Sequence, residues 1–260
     1  GQRLQDTPLA ITALSGDELA ARGQTSITDV GRTAPNVNLA PATGLNGSAV
    51  AAFIRGIGQS DSSFALEPGV GVYIDDVYYG TTYGAVMDLT DLDRVEILRG
   101  PQGTLAGKNS LGGAIKLFSA KPDANGGGFI EGTYGRFDRV DLRASADIPV
   151  SDGVYLRLSG VSKHTDGYMT LLDYGCVNPG GGLAPTGGSN DCKLGTEGGI
   201  DVKALRGALR IAPSGSPLEI NLVGDFAQND SQQVATKLVY ANNPGIRSYD
   251  AANPTGGIPF

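Results

Sequence analysis

This sequence contains little histidine and cysteine, on which many catalytic and metal sites depend. It has one histidine, His164, two cysteines and no tryptophan among 260 residues. A nucleophile needs an adjacent base, and no convincing Ser/His/Asp or Cys/His set can be assembled around a single histidine. Two cysteines without a nearby histidine also leave a zinc site short of its usual ligands. The sequence therefore predicts neither an enzyme nor a metal or cofactor site.

Long apolar runs and excess positive charge are also missing. No run of 18 or more apolar residues occurs, so no transmembrane helix is predicted. Transmembrane strands are still allowed, because each needs only about 9–11 residues. The formal net charge of −7 disfavours nucleic acid as a partner. The 40 glycines show no Gly-X-Y period, which excludes a collagen-like chain.

The two cysteines, Cys176 and Cys192, lie in one stretch rich in glycine, proline and asparagine. They are 16 positions apart in the sequence. Closing a loop of that length with a disulfide stabilises the folded state by roughly 3 kcal/mol in the chain-entropy model. We predict a disulfide between them in an oxidising compartment. The alternative is a pair of free thiols in a cytosolic loop.

Residues 1–122 are predicted to form a compact α+β domain. A capping-box spacing begins at Ser15, and two short helices are predicted near 16–22 and 26–32, broken at Gly23. Short, mostly β-branched and apolar strands are predicted around 51–55, 70–75, 93–98 and 113–119.

Residues 123–260 have a different pattern, with long strands in which apolar and polar residues alternate. Within Asp138–Val150 the even positions from Val140 to Ile148 are apolar and the odd positions from Arg139 to Asp147 are polar, so the strand has one apolar and one polar face. About five such strands are predicted, near 128–136, 138–149, 153–165, 201–212 and 217–228.

The connections between these strands alternate in length. Short turns at 149–153 and 213–217 alternate with long loops near 166–200 and 229–260. Tight periplasmic turns and long extracellular loops are typical of a bacterial outer-membrane barrel. A soluble β-sandwich is the alternative, since its strands alternate equally well, and the lack of tryptophan counts slightly against a barrel. Five strands cannot close a barrel around a domain of this size, so we expect an N-terminal portion of a longer protein.

The most distinctive segment extends from Asp91 to Pro122 and is rich in glycine. It does not fit a nucleotide-binding loop, because Gly103 and Gly107 are one residue too close and Asn109 replaces the required Ser or Thr. The dinucleotide fingerprint also fails, since Arg55-Gly-Ile-Gly lacks a third glycine at the required spacing.

This segment closely resembles the plug signature of TonB-dependent outer-membrane receptors. The matching stretches are Asp93–Ile97, Leu98–Leu105, Gly107–Ser110 and Gly112–Ile115. Three further stretches resemble the plug's opening strand, its central Arg-Gly turn and its hairpin, namely Asp6–Gly16, Phe53–Gly58 and Val72–Gly80. The glycine-rich segment and these three stretches are four matches in the family's order, which makes the resemblance specific for the plug. Residues after the plug resemble the family only in their alternation.

The resemblance implies a plug domain inside a transmembrane β-barrel of roughly 22 strands in the bacterial outer membrane, surrounded by outer-membrane lipid. It implies TonB, with ExbB and ExbD, as partner through a segment upstream of Gly1. It implies a small-molecule ligand such as a metal chelate or oligosaccharide, with a ferric siderophore as the leading expectation. Two alternatives are a soluble periplasmic binding module and a TonB-independent outer-membrane channel.

Candidate site residues follow from the predicted topology. Ligand contacts are expected on three outward loops, at Gln59, Asp61, Ser62, Phe64, Tyr79 and Tyr83. Plug–barrel contacts are expected within the plug at Arg55, Arg94, Glu96 and Arg99. On the polar face of the long strands the candidates for these contacts are Arg139, Arg143, Arg157, Arg206, Arg210, Asp141, Asp147, Glu219 and Asp225.

Overall fold

The computed structural model describes residues 10–24, 26–41, 49–60, 66–80, 91–103, 109–180, 184–187, 191–232 and 234. The N-terminal domain contains β1 (Ala10–Ser15), α1 (Gly16–Ala21), α2 (Ile27–Val30), β2 (Val37–Pro41), β3 (Val50–Ile54), β4 (Ile57–Gln59), β5 (Val70–Ile74), β6 (Val77–Tyr79), β7 (Leu92–Arg99) and β8 (Gly113–Ser119). The rest contains β9 (Gly127–Gly135), β10 (Arg139–Ser151), β11 (Val154–Thr165), β12 (Met169–Leu172), α3 (Tyr174–Val177), β13 (Lys193–Glu197), β14 (Ile200–Ile211) and β15 (Ile220–Asn229).

The N-terminal domain is built on a mixed sheet with strand order β1-β7-β8-β5-β6 and a smaller sheet β2-β3-β4. Strands β5 and β8 are parallel, and the other pairs in these sheets are antiparallel. Both sheets contribute to one core with the two helices. Its fully buried members include Ile27, Ile54, Ile97 and Ile115. Burying each such side chain stabilises the domain by about 1.5–3 kcal/mol.

Helix α1 begins where the sequence predicts. The Ser15 side chain accepts a hydrogen bond from the Glu18 backbone N–H at 3.2 Å, and the Ser15 N–H donates to the Glu18 carboxylate at 3.0 Å. This reciprocal pair satisfies two backbone donors that a helix start leaves free. The helix ends before Gly23, whose φ of +63° lies in the left-handed region.

The second part is dominated by one antiparallel sheet of order β15-β14-β11-β10-β9, called here the long-stranded sheet. Its five strands lie close to the predicted positions. One of its faces carries exposed apolar side chains, among them Leu142, Leu158, Leu205 and Phe226. The opposite face carries most of the sheet's charged residues and lies against the N-terminal domain. The predicted α+β domain followed by alternating antiparallel strands is therefore confirmed.

Between β11 and β14 the chain forms a small excursion of its own. Strands β12 and β13 pair in a two-stranded sheet, and α3 follows β12. These elements occupy the long loop that the alternation predicts there. Among the described residues, no helix has the length and apolar character needed to cross a bilayer.

Candidate functional site

The first charged contact between the N-terminal domain and the long-stranded sheet is centred on Arg157 of β11. Its guanidinium donates to Asp91 through Nε at 2.8 Å and Nη2 at 2.7 Å, while Nη1 pairs with Asp147 of β10. The Ser159 hydroxyl donates to the second Asp91 oxygen. Asp91 is only 8% exposed, and its carbonyl accepts from the Ala120 N–H at 2.9 Å. The buried carboxylate is thus fixed in place, and its charge is balanced by Arg157.

The register of the sheet explains why Arg157 has two acidic partners. Asp147 and Arg157 lie directly opposite each other on β10 and β11, and both belong to the polar face. Opposite charges at such cross-strand positions attract each other. Asp91 immediately precedes β7, so the N-terminal domain presents its carboxylate to an arginine that the sheet has already oriented.

A second charged contact repeats this arrangement around Arg206 of β14. Arg206 Nη2 donates to Asp75 of the N-terminal domain at 2.7 Å, and Nη1 donates to Asp225 of β15 at 2.8 Å. Asp225 lies opposite Arg206 in the sheet register. Each of these two arginines therefore bonds one carboxylate from the sheet and one from the N-terminal domain.

Asp75 occupies the turn between β5 and β6, with a positive φ of 49°. Besides Arg206, its carboxylate accepts from the Ser119 N–H at 2.8 Å and from the Ser119 hydroxyl at 2.7 Å. Burial raises the pKa of Asp75, but the Ser119 hydrogen bonds and Arg206 together bring this pKa below its usual value. Asp75 is consequently held ionised at the contact.

A third contact joins the segment after β8 to the sheet through Glu219, just before β15. The Glu219 carboxylate accepts from Asn221 at 3.1 Å, Lys121 at 3.2 Å and Arg210 at 3.1 Å. These hydrogen bonds lower the pKa of Glu219 to about 2. One carboxylate therefore fastens the connection between the two parts of the chain to the polar face of the sheet.

A cavity of about 680 Å³ lies between α1 and the first two strands of the sheet. Its lining includes Asp17, Gln24, Glu131 and Arg143. Arg143 Nη1 pairs with Glu131 at 3.5 Å, whereas Arg143 Nε and Gln24 Oε1 are buried without a hydrogen-bond partner among the described residues. Polar cavities of this size accommodate water, so here the two parts meet across polar groups rather than a continuous apolar interface.

Two of the six predicted ligand-contact residues lie in the described part of the chain. Gln59 ends β4 and Tyr79 ends β6, and both side chains are half-buried. Tyr79 packs against the core of the N-terminal domain. The other four, Asp61, Ser62, Phe64 and Tyr83, lie outside the described residues. Ligand contact by this set stays a prediction.

The residues predicted to join the plug to the barrel have contacts within the N-terminal domain. Arg94 donates to Glu96 at 2.7 Å and to Asp93 at 2.8 Å, and it lies over the Phe118 ring. Arg99 donates to a backbone carbonyl of the same domain at 3.4 Å. The guanidinium of Arg55 lies close to Gly100.

Among the described residues, other side chains of the N-terminal part make the contacts to the sheet. These are Asp75, Asp91 and Lys121. The plug–barrel role of Arg55, Arg94, Glu96 and Arg99 therefore stays a prediction. On the sheet side, several residues of the predicted polar face do take part, namely Arg157, Arg206 and Glu219.

Cys176 and Cys192 are joined by a disulfide in the structure, with their Cα atoms 5.5 Å apart. Beside it the Asp173 carboxylate accepts backbone hydrogen bonds from Thr186 at 2.6 Å and Gly187 at 2.7 Å. The Gly187 N–H is the main cause of a lowered Asp173 pKa. The disulfide and this carboxylate together organise the loop around α3.

Comparison with known proteins places these features in a family. Residues 3–114 match the family model described as TonB-dependent Receptor Plug Domain. The pesticin receptor of Yersinia pestis is 31% identical over 209 residues, covering 80% of this chain and 28% of that receptor. The vitamin B12 transporter BtuB of Vibrio vulnificus is 24% identical over 179 residues, covering 67% of this chain and 29% of the transporter. These relatives are a receptor and a transporter rather than enzymes.

Solved structures agree with the sequence matches. The ferric yersiniabactin uptake receptor FyuA from Yersinia pestis superposes with a TM-score of 0.70 at 26% identity, covering 84% of this chain and 31% of that chain. The ferripyoverdine receptor of the outer membrane of Pseudomonas aeruginosa superposes with a TM-score of 0.65 at 19% identity. The superposition covers 87% of this chain and 26% of that chain. The chain thus spans less than a third of the length of these relatives and neighbours.

Proposed function

This chain belongs to the TonB-dependent outer-membrane receptors, and from that premise we propose that the protein imports a scarce nutrient across the bacterial outer membrane. The N-terminal domain is the plug, and the long-stranded sheet forms the first strands of the barrel. In the proposed cycle, ligand binds from outside. TonB, with ExbB and ExbD, then pulls on the plug, and the plug moves to open a path through the barrel.

The observation that carries this proposal is the polar contact between the plug and the barrel strands. Three contacts hold the two parts together through charged groups, centred on Arg157, Arg206 and Glu219. Polar groups that separate can be rehydrated, whereas separating an extensive apolar interface exposes apolar area to water. A domain that must be displaced and reseated in each cycle is served better by the first kind of contact.

For the ligand we propose a ferric siderophore. The Yersinia pestis neighbour is a ferric yersiniabactin uptake receptor, and the Pseudomonas aeruginosa neighbour is bound to ferripyoverdine. We propose that the ligand contacts the plug at Gln59 and Tyr79, and also at Asp61, Ser62, Phe64 and Tyr83, which follow them in the sequence. This set combines hydrogen-bonding groups with aromatic faces, which suits a small polar chelate.

Uptake of radioactive iron tests the proposal. The complete receptor gene is expressed in a strain that lacks its own siderophore receptors, in the presence or absence of TonB. We expect ⁵⁵Fe uptake from at least one of a panel of ferric siderophores, and we expect it to disappear without TonB. Radioactive cobalamin serves as the competing cargo.

Each contrary result has a distinct meaning. Iron uptake that persists without TonB would identify a TonB-independent channel. TonB-dependent uptake of cobalamin without uptake of any ferric siderophore would retain import but reject the proposed ligand. Recovery of the protein from the periplasm instead of the outer membrane would support a soluble binding module.

A further inference from the structure

We propose that Asp147 and Asp225 are release partners, meaning barrel carboxylates that keep the plug-binding arginines paired while the plug moves away. The inference rests on the proposed function, because it concerns plug displacement during import. Arg157 and Arg206 each hold the plug through one carboxylate, Asp91 or Asp75, and each also bonds one of the release partners.

The hydrogen bonds within each triad allow one partner to leave without the other. Arg206 uses Nη2 for Asp75 and Nη1 for Asp225. Arg157 uses Nε and Nη2 for Asp91 and Nη1 for Asp147. Because different nitrogens serve the two partners, the guanidinium can lose the plug carboxylate and retain the barrel carboxylate.

The barrel half of each triad is set by the barrel itself. Asp147 lies opposite Arg157, and Asp225 lies opposite Arg206, in the hydrogen-bonded register of neighbouring strands. These pairs therefore do not need the plug for their alignment. The plug carboxylates do not belong to the long-stranded sheet. Asp75 lies in the turn after β5, and Asp91 lies just before β7.

Burial makes the second partner important. The side chains of Arg157 and Arg206 are each 14% exposed when the plug is seated. An arginine at such a site that loses its sole partner leaves an uncompensated charge, which is strongly unfavourable. With a release partner present, the arginine stays neutralised while the plug carboxylate departs, so the energy required to begin unseating is lower.

Neighbouring strands supply a matched control. Arg143 of β10 and Glu131 of β9 form the same kind of cross-strand pair, 3.5 Å apart and in register. Among its described contacts, Arg143 pairs with Glu131 and with no plug carboxylate. Neutralising Glu131 therefore alters a similar barrel pair without touching a triad.

The experiment measures how fast the plug leaves the barrel under a constant pulling force. The complete receptor is embedded in liposomes, and a periplasmic fragment of TonB on the force probe pulls the plug. The variants Asp147→Asn and Asp225→Asn remove the release partners, and Asp91→Asn and Asp75→Asn remove the plug carboxylates. Asparagine preserves the size of the side chain. At position 147 it also retains an oxygen that can accept the hydrogen bond donated by the Asp123 N–H, which is 3.1 Å long in the wild type.

The two kinds of variant should change the unseating rate in opposite directions. Losing a release partner leaves the arginine with the plug carboxylate alone, so unseating should slow by about tenfold. Losing a plug carboxylate weakens the seated state, so unseating should accelerate by about tenfold. Glu131→Gln removes neither a release partner nor a plug carboxylate, so it should not slow unseating.

A role confined to barrel stability predicts a different pattern. If Asp147→Asn and Asp225→Asn accelerate unseating or leave its rate unchanged, the release-partner proposal is wrong. Heat-modifiable mobility on gels verifies that each barrel is folded, and the two sites provide independent tests. If the wild-type receptor imports no ferric siderophore while the opposite rate changes are observed, the proposed cargo fails and the release partners remain supported.

Discussion

At the scale of single residues, Glu219 shows how one carboxylate can serve both parts of the chain. It accepts hydrogen bonds from Asn221, Lys121 and Arg210. These hydrogen bonds reach their full strength only when the carboxylate is ionised. The pKa of Glu219 is lowered from 4.5 to about 2 in the folded protein. Its contribution to stability is therefore complete above pH 4.5 and is lost as the pH falls from there towards 2.

The Glu219→Gln variant tests this linkage. We expect the thermal unfolding midpoint of the complete receptor to fall less steeply between pH 5 and pH 3 in the variant than in the wild type, because the variant lacks this titrating group. Scanning calorimetry at several pH values measures the difference. Parallel loss of stability in both proteins would show that Glu219 does not contribute in this pH range.

Alternation of polar and apolar residues assigns Arg157, Arg206 and Glu219 to the barrel's polar face. Alternation does not identify the plug partners of the two arginines. Asp75 lies in a turn and Asp91 lies at the start of a strand, and no periodicity there specifies the direction of a side chain. Charge also favours Arg94 and Glu96 of the plug as plug–barrel contacts, although they belong to no alternating pattern. In the folded domain these two residues lie close enough to pair with each other at 2.7 Å, so their charges are used locally.

At the scale of elements, the pairing of β7 with β8 depends on a glycine. Gly113 begins β8 with a φ of +150°, and a Cβ atom there would lie 2.1 Å from the Leu98 carbonyl oxygen. We expect Gly113→Ala to destabilise the plug by at least about 2 kcal/mol, because backbone must shift to relieve the overlap. Limited proteolysis of the plug in the complete receptor across a urea series measures this effect.

Gly103→Ala is the matched control within the plug, since an added Cβ at Gly103 meets no atom within 4 Å. This variant should be cleaved at the same urea concentration as the wild type. Equal protection of both alanine variants would show that the close approach at Gly113 is relieved without cost.

At the scale of the whole molecule, the long-stranded sheet separates two environments. Leu205, in the middle of β14, is 65% exposed on the apolar face, whereas its neighbour Arg206 points to the plug. We expect this apolar face to contact lipid in the membrane. We expect Leu205→Arg to destabilise the folded barrel by about 2–4 kcal/mol, the usual cost of a charge near the bilayer midplane.

Folding of the complete receptor into liposomes across a urea series, followed by heat-modifiable gel mobility, measures this cost. Leu205→Met keeps the position apolar and should fold like the wild type. If Leu205→Arg also folds like the wild type, this face does not lie in the hydrocarbon region.

Features that depend on neighbouring residues can be predicted from the sequence. Period-2 alternation specified the long strands and their two faces, the spacing of Ser15 and Glu18 specified the start of α1, and the ordered motifs specified a plug. The charges that meet across the two domains can be identified only in the folded protein. Asp91 and Arg157 are 66 positions apart, and Asp75 and Arg206 are 131 positions apart. Local periodicity assigns a side chain to a face, but its partner across an interface depends on how two separately folded surfaces dock.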